Sequence, residues 1–241
     1  MILGIETATA RLGVALYDAT PGNAVPGNAV PGVLRAAISV DRGSVHDELL
    51  VPLCREMVAR GGIDMAALTC IAVSAGPGSF TGLRIGMAAA KGFALGLGIP
   101  LRTVPTLDAA AEHAARTWPP MAGTTLAVCM DARRADVYAA TYLLDGTDWR
   151  AIEPVRVLDA TELAEQLTAG AVLCGDGAAK VQAAARGRFV MAADPGACFD
   201  ASAVAALGAR LLARDGASDA ETCEPLYVRE FQVHRAKNLF P

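Results

Sequence analysis

The sequence lacks the residue spacings that mark common metal-dependent and serine hydrolases. Its three histidines, His46, His113 and His234, are too far apart to form an H-x-x-x-H or H-E-x-x-H pair, the spacing that places two imidazoles on one face of a helix around zinc. The nucleophile motif G-x-S-x-G is also absent. These absences argue against a histidine-ligated metal site and against a serine hydrolase.

The chain also lacks an excess of basic residues. It carries 21 Lys and Arg against 25 Asp and Glu, for a formal net charge of −4. Autonomous nucleic-acid binders usually show a basic stripe. The balance therefore argues against a protein that binds nucleic acid alone, but not against a subunit that reaches RNA through a partner.

None of the six cysteines forms a C-x-x-C pair, and several stand in apolar runs. This pattern predicts buried free thiols in a reducing compartment. The first residues show no basic segment before an apolar core, and no uncharged apolar run reaches ~18 residues. We therefore expect a cytoplasmic protein with no signal peptide and no membrane span.

Two similar segments, about half the chain apart, predict an internal duplication. Residues 2–16 and 124–144 each have the pattern strand, short polar turn, strand, and Glu6 and Asp131 end the first strand of each pair. Alternating strand and helix signals follow both. We predict an α/β protein with a first lobe at residues 1–105, a second, smaller lobe at 106–225 and a tail at 226–241.

Further patterns are local. Apolar spacing predicts helices over 45–60 and about 81–95. The five-residue repeat in "PGNAVPGNAVPG", residues 21–32, has a turn signal in each copy and predicts a surface loop. The basic "VHRAKN" near the C-terminus is interpreted as a solvated tail rather than a phosphate contact.

The stretch Gly76 to Gly86, "GPGSFTGLRIG", is rich in residues that destabilise helix and strand interiors. It matches neither the Walker loop, G-x-x-x-x-G-K-[ST], nor the dinucleotide loop, G-x-G-x-x-G. It precedes a predicted helix, whose free N–H groups could hold an anion. Its small residues continue along that helix, however, so we favour close helix packing over phosphate binding.

Several segments together resemble one family. "GPGSFTGLRIGMAAAKGFALGLGIPL", "SVHDELLVPL", "DARRADVYAA", "GDGA" and "PLYVR" occur in the order typical of the bacterial TsaB (YeaZ) family. The resemblance runs from residue 2 to about residue 229. It implies the actin-like, Hsp70-like fold (ASKHA, ribonuclease H-like), with two related lobes, as the duplicated pattern also suggests.

The resemblance also implies a function. Such proteins assist transfer of a threonylcarbamoyl group to N6 of adenosine 37 in tRNAs that read ANN codons. The larger paralogue TsaD performs the transfer, and the small ATPase TsaE joins the complex. We therefore expect a non-catalytic, activating subunit that pairs with TsaD, forms a homodimer when alone, and meets tRNA only indirectly, through the complex.

Two enzymatic alternatives compete with this expectation. Thr106 and Ala110 stand where the catalytic paralogue has its metal-binding histidine pair, and alanine has no donor atom, which argues against a glycoprotease-type metallopeptidase. An independent ATP-dependent kinase or ATPase of the same superfamily is disfavoured because "IETAT" lacks the usual glycine after the acid.

The resemblance places a nucleotide site at eight positions in three segments: Glu6, Thr7, Thr9, Asp131, Arg133, Gly175, Asp176 and Gly177. Since Glu6 replaces the usual aspartate, we expect at most weak or vestigial binding of ATP or ADP with magnesium, and no required cofactor. An alternative stays open, in which Glu6 and Asp131 only cap strands and bind turn amides.

The family also implies that the two predicted helices at 45–60 and 81–95 contact TsaD, or a second copy of this chain. The candidate contact residues are apolar or small: Leu49, Leu53, Met57, Leu83, Met87 and Ala90. The alternative for each is an ordinary core position against its own sheet.

Overall fold

In the part of the chain that the structure describes, ten strands form two five-stranded mixed sheets with the same topology. The computed structural model describes residues 1–20, 32–41, 45–117, 123–145 and 148–228. The PGNAV repeat, except Gly32, and the basic C-terminal segment lie outside these residues. The first sheet has the order β3-β2-β1-β4-β5 and the second β10-β9-β6-β7-β8, so each strand of one sheet has a counterpart in the other.

The strands of the first sheet are β1 (Ile2–Glu6), β2 (Arg11–Asp18), β3 (Val33–Asp41), β4 (Cys70–Ser74) and β5 (Leu101–Val104). Those of the second are β6 (Thr125–Asp131), β7 (Asp136–Asp145), β8 (Asp148–Asp159), β9 (Val172–Cys174) and β10 (Val190–Met191). In each sheet three strands are antiparallel and the other two run parallel to the first.

The central strands have continuous apolar runs because both of their faces are covered. Every residue of β1 and β4 is buried. Helices α1 (His46–Arg60) and α2 (Phe80–Leu97) cover one face of the first sheet, and α6 (Ala201–Asp215) covers the other. The second sheet lies between α4 (Ala160–Gln166) and α5 (Ala178–Ala184) on one face and α3 (Thr106–Thr117) on the other.

The lobes meet through α3 and α6. Arg210 of α6 donates to Glu112 of α3 over 2.9 Å, and the Tyr142 hydroxyl of the second sheet donates to Asp108 of α3 over 2.7 Å. Helix α6 falls within the predicted second lobe, but the strands on which it packs are those of the first sheet. The predicted boundaries at 105 and 225 otherwise stay predictions.

The structure bears on two expectations drawn from the composition, which concern the cysteines and a membrane span. Five of the six cysteines are buried free thiols, and Cys223 is half-buried. The stretch Pro195–Asp215 is long and apolar enough to cross a membrane by composition alone. Most of it is buried against the first sheet, which is the position of a core helix.

Candidate functional site

A cleft of about 810 Å³ lies between the lobes, at the tips of the β1–β2 and β6–β7 hairpins. The first lobe contributes residues 8–10 and 77–80, the second contributes 130–134, Asp136, Tyr138 and Asp176, and residues 226–228 close one side. Four of the eight predicted nucleotide-site residues line this cleft: Thr9, Asp131, Arg133 and Asp176. The other four, Glu6, Thr7, Gly175 and Gly177, lie behind it.

Glu6 is turned into the protein, with only 1% of its surface exposed. Its Oε1 accepts the Ala8 N–H at 2.6 Å and the Ser74 hydroxyl at 3.2 Å. Its Oε2 is buried, with no hydrogen-bond partner among the described residues. Burial raises the pKa of Glu6 to about 7, because water no longer stabilises the charged form. Glu6 thus binds a turn amide, one of the two roles that the sequence left open.

The glycine run seats α2 against the first hairpin. A methyl group at Gly82 would overlap the carbonyl oxygen of Thr7, and one at Gly86 would overlap the Thr7 hydroxyl. A methyl group at Gly78 would meet Ala8. The helix begins at Phe80, and the Oγ of the N-cap residue Ser79 accepts the Gly82 N–H at 3.2 Å. These glycine faces are filled by protein atoms, as the packing interpretation predicts.

The side chain of Lys180, in α5, bonds to the turn of the second hairpin, β6–β7. Its Nζ donates to Asp131 Oδ1 over 2.6 Å and to the carbonyl oxygen of Arg134 over 2.8 Å. Burial acts to raise the pKa of Asp131, but the Lys180 ammonium and the Arg133 N–H hold it below its usual value. Sequence reasoning missed Lys180, because it stands just beyond the "GDGA" motif.

Gly175 and Gly177 pack against the end of β6. A methyl group at Gly175 would overlap the carbonyl oxygen of Cys129, and one at Gly177 would crowd the backbone at 130–131. Gly175 also has a φ of 97°, in the left-handed region that favours glycine. Both glycines therefore allow close backbone packing within the second lobe, and Asp176 between them lines the cleft.

Thr106 and Ala110, at the positions of the paralogue's histidine pair, are fully buried in α3. The Thr106 hydroxyl accepts the Gly76 N–H at 3.0 Å, which fixes the start of the glycine run. Within the ranges that the structure covers, no three His, Cys, Asp or Glu side chains form a group that could hold a metal ion.

The predicted partner residues form the inner faces of α1 and α2. Leu53, Met57, Leu83, Met87 and Ala90 are each at most 8% exposed, and Leu49 is half-buried. These positions fit the alternative that the sequence left open, an ordinary core position, because helical spacing identifies the apolar face, and that face packs within the chain. Their role as partner contacts stays a prediction. The outer faces carry Val51 and Leu95, which are 39% and 64% exposed.

A C-terminal segment, residues 219–228, crosses α2 at the cleft. Leu226 N–H donates to the Ala75 carbonyl oxygen over 2.6 Å. The Tyr227 and Phe80 ring centroids are 5.2 Å apart, and the Arg84 guanidinium carbon lies 4.8 Å from the Phe80 centroid. Sequence reasoning missed this cluster because its members are far apart in the chain.

Comparisons with known proteins agree with this fold. The family model "TsaD: tRNA N6-adenosine threonylcarbamoyltransferase" matches residues 42–213. The tRNA threonylcarbamoyladenosine biosynthesis protein TsaB of Escherichia coli is 32% identical over 158 residues, which are 65% of this chain. The matched region spans only 62% of the length of that curated relative.

Solved structures give the same fold over nearly the whole chain. A Pseudomonas aeruginosa structure, described as an uncharacterized protein with similarity to peptidase YEAZ, has a TM-score of 0.75 and 25% identity, covering 95% of this chain and 99% of its own. A polyphosphate/ATP-glucomannokinase from an Arthrobacter species has a TM-score of 0.51 at 13% identity, covering 87% and 98%. The latter likeness extends to the fold alone.

Proposed function

The chain belongs to the TsaB/YeaZ family, and from this premise we propose that it is a non-catalytic activating subunit in tRNA threonylcarbamoyladenosine biosynthesis. In this proposal a TsaD-type paralogue transfers the threonylcarbamoyl group, a TsaE-type ATPase joins the complex, and this chain pairs with the TsaD-type subunit. Without that partner it forms a homodimer.

The observation that carries the proposal is that both hairpins are occupied by the chain's own atoms. Helix α2 packs its glycines against Thr7 in the first hairpin, and Lys180 neutralises Asp131 in the second. A phosphate or a metal ion at either hairpin would have to displace these groups. An assisting subunit needs neither ligand for its own chemistry, whereas a kinase or an ATPase needs both.

The cleft between the hairpins has room for a ligand, so weak binding of ATP or ADP with magnesium is part of the proposal. Asp131, Arg133 and Asp176 would face such a ligand from the second lobe. With Asp131 already paired to Lys180 at 2.6 Å, we expect the affinity to be low and turnover not to depend on it.

The proposed contact with the TsaD-type subunit uses the outer faces of α1 and α2. Contiguous exposed apolar surface marks interaction sites, and glycines beside it let another backbone approach closely. Leu95 is 64% exposed, and Gly92 and Gly96 on either side of it have open space where a side chain would stand.

The function is tested by threonylcarbamoyl transfer to an unmodified tRNA. TsaD- and TsaE-type proteins are supplied with threonylcarbamoyl-AMP, with and without this chain. We expect turnover to require the chain, and the chain alone to be inactive. Equal turnover in its absence would reject the assisting role, and phosphoryl transfer from ATP to a small substrate would favour an independent kinase.

The proposed surface predicts the effect of one exposed substitution. Leu95→Asp should weaken association with the TsaD-type subunit at least tenfold, because it places a charge in an apolar contact. Association is measured by calorimetry on the purified proteins. Ile152→Asp, at a 42% exposed apolar position on β8 of the second lobe, is the matched control and should bind normally. Equal affinities of the two variants for the TsaD-type subunit would show that the interface lies elsewhere.

A further inference from the structure

Three exposed arginines stand at or beside the mouth of the cleft. Arg133 and Arg134 line it from the second lobe, and Arg84 lies across from them, next to the cleft residue Phe80. Within the described residues, none of the three guanidinium groups forms an ion pair with a carboxylate. The chain's formal net charge is −4, so three arginines without a carboxylate partner at one opening make that region more positive than the chain as a whole.

The second hairpin fixes the two adjacent arginines in an unusual conformation. Arg133 and Arg134 have φ values of 69° and 51°, both in the left-handed region. The Arg133 N–H donates to Asp131 over 2.6 Å, and Lys180 donates to the Arg134 carbonyl oxygen over 2.8 Å. These bonds hold the backbone of the tip, while the two side chains stay exposed to solvent.

The carboxylates on the same wall are already engaged. Asp131 pairs with Lys180 at 2.6 Å, and Asp176 accepts the Asp131 N–H at 2.8 Å. Asp136 also has a partner within the chain. The guanidinium groups of Arg133 and Arg134 are therefore the charged groups of this wall that can meet an outside ligand, and the ligand they suit is an anion.

Aromatic rings lie beside these cations. Phe80 and Tyr227 are 40% and 43% exposed, and their centroids are 5.2 Å apart. Tyr138 lines the opposite wall. Exposed aromatic rings next to arginines form the usual platform for unpaired bases, which stack on the rings while the phosphates meet the guanidinium groups.

Two ligands have this chemistry, a free nucleotide and an RNA strand. The turn of the first hairpin is packed against α2, and the Asp131 carboxylate of the second is bonded to Lys180, so the chain's own atoms already occupy the space between the hairpin tips where a nucleotide's phosphates could enter. The unpaired cations lie at the rim instead. A ligand with its phosphates at the rim and its bases toward the aromatic rings would be an RNA strand that runs across the opening of the cleft.

We propose that the rim of this cleft contacts the tRNA substrate directly, with phosphates on Arg133, Arg134 and Arg84 and a base on the exposed ring of Tyr227, which Phe80 supports. This inference rests on the proposed function and goes beyond it, because an activating subunit that pairs with the TsaD-type subunit needs no tRNA contact of its own.

The test measures binding of an unmodified tRNA transcript to the complex of this chain with its TsaD- and TsaE-type partners, by fluorescence anisotropy over a range of salt concentrations. The variant is Arg133→Asn with Arg134→Asn, because asparagine tolerates the left-handed conformation. Arg186→Asn is the matched control, since Arg186 is also exposed with a φ of 52° but lies outside the cleft.

We expect the double variant to bind tRNA about tenfold more weakly or worse and to lower the salt dependence, log affinity against log salt, by about 1 per arginine removed. Arg186→Asn should match the unmodified chain in both. A double variant that binds like Arg186→Asn would overturn the inference. So would one that loses affinity for ATP but not for tRNA, since the rim would then serve a nucleotide.

A second variant tests the stacking platform separately. Tyr227→Leu keeps an apolar contact with Phe80 but removes the ring, and stacking of one base is worth about 1–3 kcal/mol, so tRNA affinity should fall about tenfold with the salt dependence unchanged. Unchanged affinity would overturn the stacking part. In all variants, association with the TsaD-type subunit is measured alongside and should stay normal. Failure of the unmodified chain to form the complex would instead reject the proposed function.

Discussion

Gly82→Ala is expected to destabilise the fold by about 3 kcal/mol, the upper part of the range for overpacked positions. The added methyl group would overlap the carbonyl oxygen of Thr7. That oxygen is backbone at the turn of the β1–β2 hairpin, so it cannot rotate away. Relief requires α2 to lift from the first lobe, and alanine's better helix propensity, worth about 1 kcal/mol, offsets only part of the cost. The free energy of unfolding is measured in urea.

Gly92→Ala provides the control within the same helix. Nothing lies within 4 Å of the position that its methyl group would take, so this variant should gain up to about 1 kcal/mol from helix propensity. The two substitutions are chemically identical, and opposite signs would isolate the contact with Thr7. Equal effects would mean that α2 is not seated on the hairpin by its glycines.

The duplicated fold could be predicted because its signal is local. Each lobe opens with two short apolar strands around a polar turn, and an acidic residue, Glu6 or Asp131, ends the first strand. The strand orders of the two sheets follow from repeating that unit with parallel strands added on one side. What the local pattern did not contain was the return of α6 to the first sheet, since this depends on contacts across most of the chain.

The site was harder to predict for the same reason. Glu6 and Thr9 are only three residues apart in the first hairpin, yet the Glu6 side chain is buried and Thr9 reaches the cleft. Lys180 acts on Asp131 from another helix. In α2, Gly82 and Gly86 face the hairpin while Gly92 faces open space, and a stripe of small residues does not reveal which of its members meets protein and which meets solvent.

Glu6 is expected to make the stability of the protein depend on pH. Its pKa is raised by burial to about 7, against 4.5 for an ordinary glutamate. The folded state therefore binds more protons than the unfolded state between these values, and stability falls as pH rises. Its contribution is fully present below pH 4.5 and is lost as pH rises through about 7. From pH 5 to pH 8 the loss from this group should be roughly 2–3 kcal/mol.

Glu6→Gln should remove this pH-dependent contribution to the free energy of unfolding. Glutamine keeps an oxygen to accept the Ala8 N–H and has no charge to bury, so the variant should lose less stability than the unmodified chain between pH 5 and pH 8. All other titrating groups are shared, and the difference between the two urea-unfolding curves therefore isolates Glu6. Glu165→Gln, at an exposed position on α4, is the control, and its plot of stability against pH should run parallel to that of the unmodified chain. If Glu6→Gln also runs parallel, the carboxyl group is ionised at little cost, and its unpartnered Oε2 must then have water or a cation beside it.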